Sequence, residues 1–218
     1  MTDANRPICP SSPVSAAERW EERYSTTDRL WSGRSNTWLD RMAAAWEPGR
    51  VLDIGCGEGD DLLWFAHHGW TGVGVDFSPT AIRRLMEAAD AQGVGGRVAG
   101  VVGDAFSAPI EGLFDAVTVF FVHGGPDGDS LPGLLALQAR RLAPGGRLAV
   151  ATHAVNPPWR GHHGTTYRAE ELLAALDFVD ASWEVEMAED HWVDIPATAE
   201  HGAGRRADAL LVLVSPTR

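Results

Sequence analysis

The chain has 218 residues, 44% of them hydrophobic and 22% charged, and carries a net charge of −12 at pH 7. That is the make-up of a globular domain with a full core, and the acidic balance argues against a nucleic-acid backbone or an anionic membrane surface as partner. Cys9 and Cys56 are the two cysteines, too few for a disulfide framework or a cysteine-built zinc site; with no charged-then-apolar leader and no apolar run of about 18 residues, the expectation is a cytoplasmic protein without membrane spans.

Residues 1–14, rich in Pro, Ser and small polar side chains, read as a flexible tail, and residues 15–218 as a single domain. Ser15-Ala16-Ala17-Glu18 is a capping box that starts a helix carrying Trp20 and Tyr24 one turn apart. A loop over 25–34 holds Leu30-Trp31-Ser32-Gly33, and a second helix is predicted from Asn36 to Trp46, ended by Pro48-Gly49. The first strand is Val51 to Ile54. After a glycine turn, a helix runs from Asp60 to His68 with Gly69 closing it. The second strand, Gly72 to Val75, leads to Asp76. Ser78-Pro79 then opens a helix whose Ile82, Leu85, Met86 and Ala89 form a core-facing stripe, with Gly93 at its end. Val98–Val102 is the third strand and Phe114–Val122 the fourth, the latter almost continuously apolar as a strand covered on both faces should be. A helix from Leu131 to Ala143 is expected to stop at Pro144-Gly145-Gly146. Leu148–Thr152 is strand five, Arg168–Leu176 a helix, the alternation around Trp183–Met187 strand six, and Asp208–Val214 strand seven. Strands alternating with helices require a mostly parallel sheet covered on both faces, and the last two strands, joined without a helix, form an antiparallel pair.

The chemistry concentrates in Val51-Leu52-Asp53-Ile54-Gly55-Cys56-Gly57-Glu58-Gly59 and in Asp76. Strand, glycine turn, helix, strand and acid is how an α/β sheet holds an adenosine-bearing ligand, the acid accepting from two ribose hydroxyls. A dinucleotide turn reads G-x-G-x-x-G; this one reads G-x-G-x-G and is flanked by Asp53, Glu58, Asp60 and Asp61. Carboxylates crowding a pyrophosphate would repel it, whereas they suit a ligand bearing an amino group and a sulfonium.

At these residues the chain resembles the class I S-adenosylmethionine (SAM)-dependent methyltransferases, whose first motif reads much like VLDIGCGEG. The resemblance implies a Rossmann-like α/β fold: a seven-stranded sheet in the order 3-2-1-4-5-7-6, with strand seven antiparallel and helices on both faces. It also implies SAM as cofactor and S-adenosylhomocysteine as product. On that basis Asp53, Gly55, Cys56 and Gly57 are expected around the amino-acid end of SAM, and Asp76 on the ribose. Phe77 is expected on the adenine, Asp104, Ala105 and Phe106 at its edge, and Phe121 beside the cofactor. His123 at the end of strand four is a candidate general base, since a neutral imidazole accepts a proton near pH 7. His153 at the end of strand five is a weaker one. His162 and His163 read as a solvated loop, and no metal is expected. Asn156-Pro157-Pro158-Trp159 resembles the N-P-P-aromatic motif of amino-methyltransferases but follows strand five rather than four, so it reads as a loop.

The order W-E-E-R-Y … L-W-S-G-R-S-N resembles small bacterial methyltransferases of the tellurite-resistance and thiopurine type, which commonly show Pro where Ser35 stands. This implies that residues 15–48 form a lid, with Trp20, Tyr24 and Trp31 closing over SAM and a small-molecule substrate. The expected function is methyl transfer to a small molecule such as a thiol or another soft nucleophile. The alternatives are O- or N-methylation of a natural product, and a non-catalytic SAM-binding protein.

Overall fold

The structure is a computed structural model that describes residues 15–122, 130–160, 165–198 and 200–217. Its strands are β1 (Arg50–Ile54), β2 (Thr71–Asp76), β3 (Val98–Val102), β4 (Phe114–Phe120), β5 (Leu142–Val155), β6 (Glu184–Ile195) and β7 (Gly204–Val214). Its α-helices are α1 (Ala16–Ser25), α2 (Leu39–Ala43), α3 (Asp60–His67), α4 (Pro79–Ala91), α5 (Leu131–Ala139) and α6 (Ala169–Ala174). The seven strands form one sheet in the order β3-β2-β1-β4-β5-β7-β6, parallel from β3 to β5 and antiparallel where β7 meets β5 and β6. This is the order the resemblance implies. Among the described residues no helix is long and apolar enough to cross a membrane.

Two-residue periodicity sorts the strand side chains onto two faces. Val51, Ala116, Ala149, Ala151, Leu210 and Val212 point to one core with α3, α4 and the tryptophans Trp38 and Trp46. Leu52, Ile54, Val117, Val119, Leu148, Val150 and Leu211 point to the other, beneath α5 and α6. The helices that begin at Ala16, Asp60, Pro79 and Leu131 start where the sequence predicts. Ser15 and Glu18 complete a reciprocal capping box on α1, and the Ser78 hydroxyl accepts the Ala81 amide at the head of α4, with proline at the first helical position.

Several boundaries differ from the sequence reading, each for a local reason. The helix predicted over 36–46 is only Leu39–Ala43; its tryptophans are buried in the core without a longer helix behind them. β4 stops at Phe120 because Phe121 is the one non-glycine residue with a left-handed backbone among those described, at φ 53°. That break in alternation places Phe120 and Phe121 against the same core. α5 ends at Ala139, four residues before the predicted stop, and Pro144-Gly145-Gly146 lies inside β5. The β4–β5 register shifts there, from Phe114 opposite Leu142 to Ala116 opposite Arg147, so the glycines absorb a bulge rather than end a helix. β7 begins at Gly204, four residues early, because β6 continues to Ile195 and pairs with it.

Gly59 ties the glycine turn to α4. Its φ is +83°, and a Cβ there would lie 2.0 Å from Cδ1 of Leu85, which is fully buried. A left-handed alanine costs about 1–2 kcal/mol and overpacking typically about 1–3 kcal/mol. Gly59→Ala is therefore expected to lower unfolding free energy by about 2–5 kcal/mol. Urea titration reads it; a loss below 1 kcal/mol would mean that Leu85 swings clear.

Candidate functional site

The carboxyl ends of β1, β2, β4 and β5 share one edge of the sheet, and the glycine turn lies on it. The amides of Gly55 and Cys56 both donate to the Val75 carbonyl, at 2.8 and 3.0 Å, which folds the turn against the end of β2. Gly55 and Gly57 have φ of +69° and +54°. A Cβ on Gly55 would meet the Val122 side chain at 2.6 Å, and one on Gly57 would meet the Tyr24 hydroxyl at 2.8 Å. The turn is thus a bare-backbone cradle with neighbours too close for side chains.

Asp76 fastens that cradle. Its Oδ2 accepts the Gly57 amide at 2.9 Å and its Oδ1 accepts the Ser78 amide at 2.9 Å. Burial raises its carboxyl above the ordinary value against the downward pull of those amides. Asp76 is therefore a structural clasp as well as a candidate ribose ligand, and its removal affects the turn itself, contrary to what a strand-end acid suggests in sequence.

The acids after the glycines have partners of their own. Glu58, 2% exposed, accepts the amides of Leu30 and Trp31 at 3.1 and 3.0 Å and pairs with Arg84 at 2.8 Å. Asp60 pairs with Arg29, and Asp61 accepts the Asn36 amide. From the other side Glu21 of α1 accepts from the hydroxyls of Ser78 and Thr80. The carboxylates that read as ligand-facing charge instead fasten the N-terminal segment over the turn. Tyr24 is buried, and its hydroxyl accepts from Trp31 Nε1 at 2.9 Å. Trp20 lies 6.0 Å from the Tyr24 ring and 6.4 Å from the Trp31 ring. Burial, then the charge of Asp76, raises the Tyr24 phenol above its usual value. Glu21, Glu58 and Arg84 form a clamp that the sequence does not announce, because nothing in their spacing marks a contact across 26 to 59 residues.

Two further acids are buried below the cradle. Asp53 of β1 accepts the Thr118 hydroxyl at 2.7 Å; burial, then the Asp61 charge, raises its carboxyl well above the usual range. Burial raises Asp61 to about 6. Burial and the charge of Asp53 raise the Cys56 thiol, which therefore does not present a thiolate, and its sulfur packs under Gly74. An acid with a raised folded pKa keeps its proton when the unfolded chain has lost it, so stability falls as pH rises from about 4 to about 6. At about 1.4 kcal/mol per unit, Asp61 accounts for roughly 2–3 kcal/mol of that fall. Asp61→Asn is expected to flatten it, since the amide oxygen still accepts the Asn36 amide; unfolding curves at pH 4 and pH 7 with an undiminished difference would rule Asp61 out.

The remaining expected residues fall along the same edge. Asp104 accepts the Phe106 amide at 2.9 Å, and the Ala105 carbonyl accepts from Gln138 at 2.7 Å, so both shape the turn after β3. Phe106 packs on the core beneath α5, and Phe77 is half-buried between Asp76 and Ser78. His123, His162 and His163 lie outside the described residues. His153 does not: its Nδ1 is 3.1 Å from Asp208 Oδ1 and its ring is 4.7 Å from that of Phe121. Asp208, 1% exposed, reads in sequence only as the start of a strand; an acid entering a buried apolar run is the signal it carries. Trp159 of the Asn-Pro-Pro-Trp loop covers Gly204 and stacks on His201 at 4.5 Å.

Residues 51–146 match the family described as "Methyltransferase domain". The chain is 39% identical over 105 residues to a ribosomal RNA small subunit methyltransferase C of Alcanivorax borkumensis, a match covering 47% of this chain and 31% of that protein. It spans half the length of another curated relative. Among solved structures it is similar to TehB from Haemophilus influenzae, with a TM-score of 0.67, 17% identity, and coverage of 90% of this chain and 67% of TehB. A SAM-dependent methyltransferase from Geobacter sulfurreducens, solved with S-adenosyl-L-homocysteine, superposes with a TM-score of 0.60 and 22% identity over 89% of this chain and 97% of that one. The glycine turn lies inside the segment that matches the methyltransferase domain, and the chain shares the fold of the solved SAM-dependent methyltransferase.

Proposed function

We propose that the chain transfers the methyl group of SAM to a small-molecule acceptor. The observation that carries this reading is the Asp76 clasp. Each carboxylate oxygen takes one backbone amide, and an oxygen with two lone pairs keeps one for a ribose hydroxyl. The cradle of Gly55, Cys56 and Gly57 supplies the close backbone approach for the methionine end, Phe77 and Phe106 the apolar surfaces beside adenine, and Asp104 an acceptor at its edge. Bound there, SAM supplies a methyl group on a positively charged sulfur. Asp76, at the edge of the cradle and largely buried, would face that ligand in a setting where electrostatic interactions are strong. The protein's part in the reaction is to hold acceptor, methyl and sulfur in line and to exclude water.

Residues 15–48 act as the lid in this reading, with Trp20, Tyr24 and Trp31 over the turn. Hydrogen exchange at residues 15–34 is expected to slow on adding SAM. Protection confined to residues 50–106 would make these aromatics structural. A thiol or other soft nucleophile as acceptor needs positioning alone; a hydroxyl or amine needs a base. The relative that acts on ribosomal RNA shares only part of its length with this chain, and a net charge of −12 disfavours a polyanionic substrate. Calorimetry with SAM, S-adenosylhomocysteine and NAD tests the reading: binding of the first two without NAD is expected. NAD binding without SAM would refute it, and SAM binding without turnover on any acceptor would favour a non-catalytic role.

A further inference from the structure

The edge of the sheet opposite the glycine turn carries a cavity of its own. It measures about 340 Å³; Trp46, Pro48 and Trp70 wall it, and Glu47, Asp115 and Arg147 are its charged groups. It sits where β1 and β4 begin, beside the stretch of β5 that carries the glycine bulge. Trp46 is 8% exposed, and its Nε1 has no hydrogen-bond partner among the described residues. The Arg147 guanidinium carbon lies over that indole, 5.4 Å from the ring centroid, within cation–π reach. Arg147 spends only its Nε, which donates to Glu186 at 2.8 Å; its two terminal nitrogens hold no hydrogen bond among the described residues. Asp115 is half spent in the same way. Its Oδ2 accepts the Arg50 amide at 2.8 Å, and its Oδ1 accepts none among the described residues. Glu47 is exposed.

The cavity therefore holds unspent donors and unspent acceptors together, between apolar walls. A guanidinium fork and an indole N–H only donate, and a carboxylate is the group that satisfies them best. Asp115 and Glu47 only accept, and an ammonium satisfies them. A plain anion would meet the two carboxylates and a plain cation the guanidinium, each an unfavourable encounter. A small molecule with both charges and an apolar body meets neither, and the volume lies at the low end of small-molecule sites, which run from about 300 to 1,000 Å³. We propose that this cavity binds an α-amino acid with an apolar side chain. Its carboxylate is held by Arg147 and Trp46 Nε1, its ammonium by Asp115 and Glu47, and its side chain lies against Trp70 and Pro48. The site is separate from the glycine turn and does not depend on the methyl-transfer reading.

Calorimetry of the full chain with L-phenylalanine, N-acetyl-L-phenylalanine and L-phenylalaninamide tests the proposal. The free amino acid is expected to bind saturably, and each derivative, lacking one of the two charges, to bind about tenfold or more weaker. Arg147→Gln is expected to weaken L-phenylalanine by roughly 10- to 100-fold and to leave the amide, which has no carboxylate, unchanged. Asp115→Asn, whose side-chain oxygen can still accept the Arg50 amide, is expected to weaken L-phenylalanine and leave the N-acetyl derivative unchanged. Trp46→Phe keeps an aromatic wall without the N–H and is expected to weaken L-phenylalanine several-fold. Glu186→Gln loosens the same ion pair as Arg147→Gln from outside the cavity and is expected to bind as the wild type does. Four results overturn the proposal. They are no saturable heat from L-phenylalanine or L-leucine at millimolar concentration, a derivative that binds as tightly as its parent, wild-type affinity in Arg147→Gln or Trp46→Phe, and a loss in Glu186→Gln equal to that in Arg147→Gln, which would make the effect structural.

Discussion

Asp76→Ala is expected to weaken SAM binding by about 2–4 kcal/mol, roughly 30- to 1,000-fold, since hydrogen bonds to charged groups are worth about 1.5–3 kcal/mol each before non-additivity. The clasp adds a second effect. The Gly57 and Ser78 amides, each 2.9 Å from a carboxylate oxygen, lose their acceptor together. Gly57 sits at a left-handed φ that only the closed turn favours. An unsatisfied buried amide costs about 1–3 kcal/mol, so stability should drop as well. Calorimetry reads the first effect and denaturant titration the second. Binding weakened less than threefold would remove Asp76 from the SAM site; unchanged stability would mean that the turn holds without its clasp.

Glu58→Ala is expected to be the most destabilising of the clamp substitutions, by about 3 kcal/mol or more, because breaking one side of a buried ion pair leaves the other charge uncompensated. Glu58 is 2% exposed at its side chain and Arg84 is 17% exposed; that partial exposure places the expectation at the lower end of the range. Three donors are stranded together: the Arg84 guanidinium and the Leu30 and Trp31 amides. The loss is expected to be local in its first consequence. Amides near Leu30 and Trp31 should exchange faster, and Trp31 should become more accessible to a fluorescence quencher. Glu58→Gln, which keeps the shape and an acceptor oxygen, should lose less. A denaturation midpoint unmoved in Glu58→Ala would mean that the N-terminal segment is held by Glu21, Asp60 and Asp61 alone.

How much was legible in the chain follows the range of the interactions. Period-two and period-3.6 patterns named every strand and placed the starts of α1, α3, α4 and α5, because alternation, caps and glycine turns are set by neighbours a few residues apart. The same locality explains the boundary errors. Pro144-Gly145-Gly146 carries a stop signal for a helix, yet the chain there pairs with β4 and meets the C-terminal segment through the Pro216 carbonyl. Phe121 carries no local mark of a left-handed backbone; its amide bonds to Ala151 on β5 at 2.7 Å.

Sequence by itself determined the sheet and its glycine cradle, together with the acid at the end of the second strand, because each is written in contiguous residues and in the alternation of strands with helices. Tertiary structure alone decided what the charges do. Glu58, Asp60 and Asp61 follow the cradle in sequence and read as ligand-facing, but Arg84, Arg29 and the backbone of residues 30–36 reach them first. Asp208 reads as an ordinary strand residue until β7, paired between β5 and β6, sets it between His153 and His191 with Trp38 and Arg206 on its second oxygen. A buried carboxylate takes its role from the donors that replace its water, and donors such as Asn36 to Asp61 and Trp38 to Asp208 lie 25 and 170 residues away in the chain.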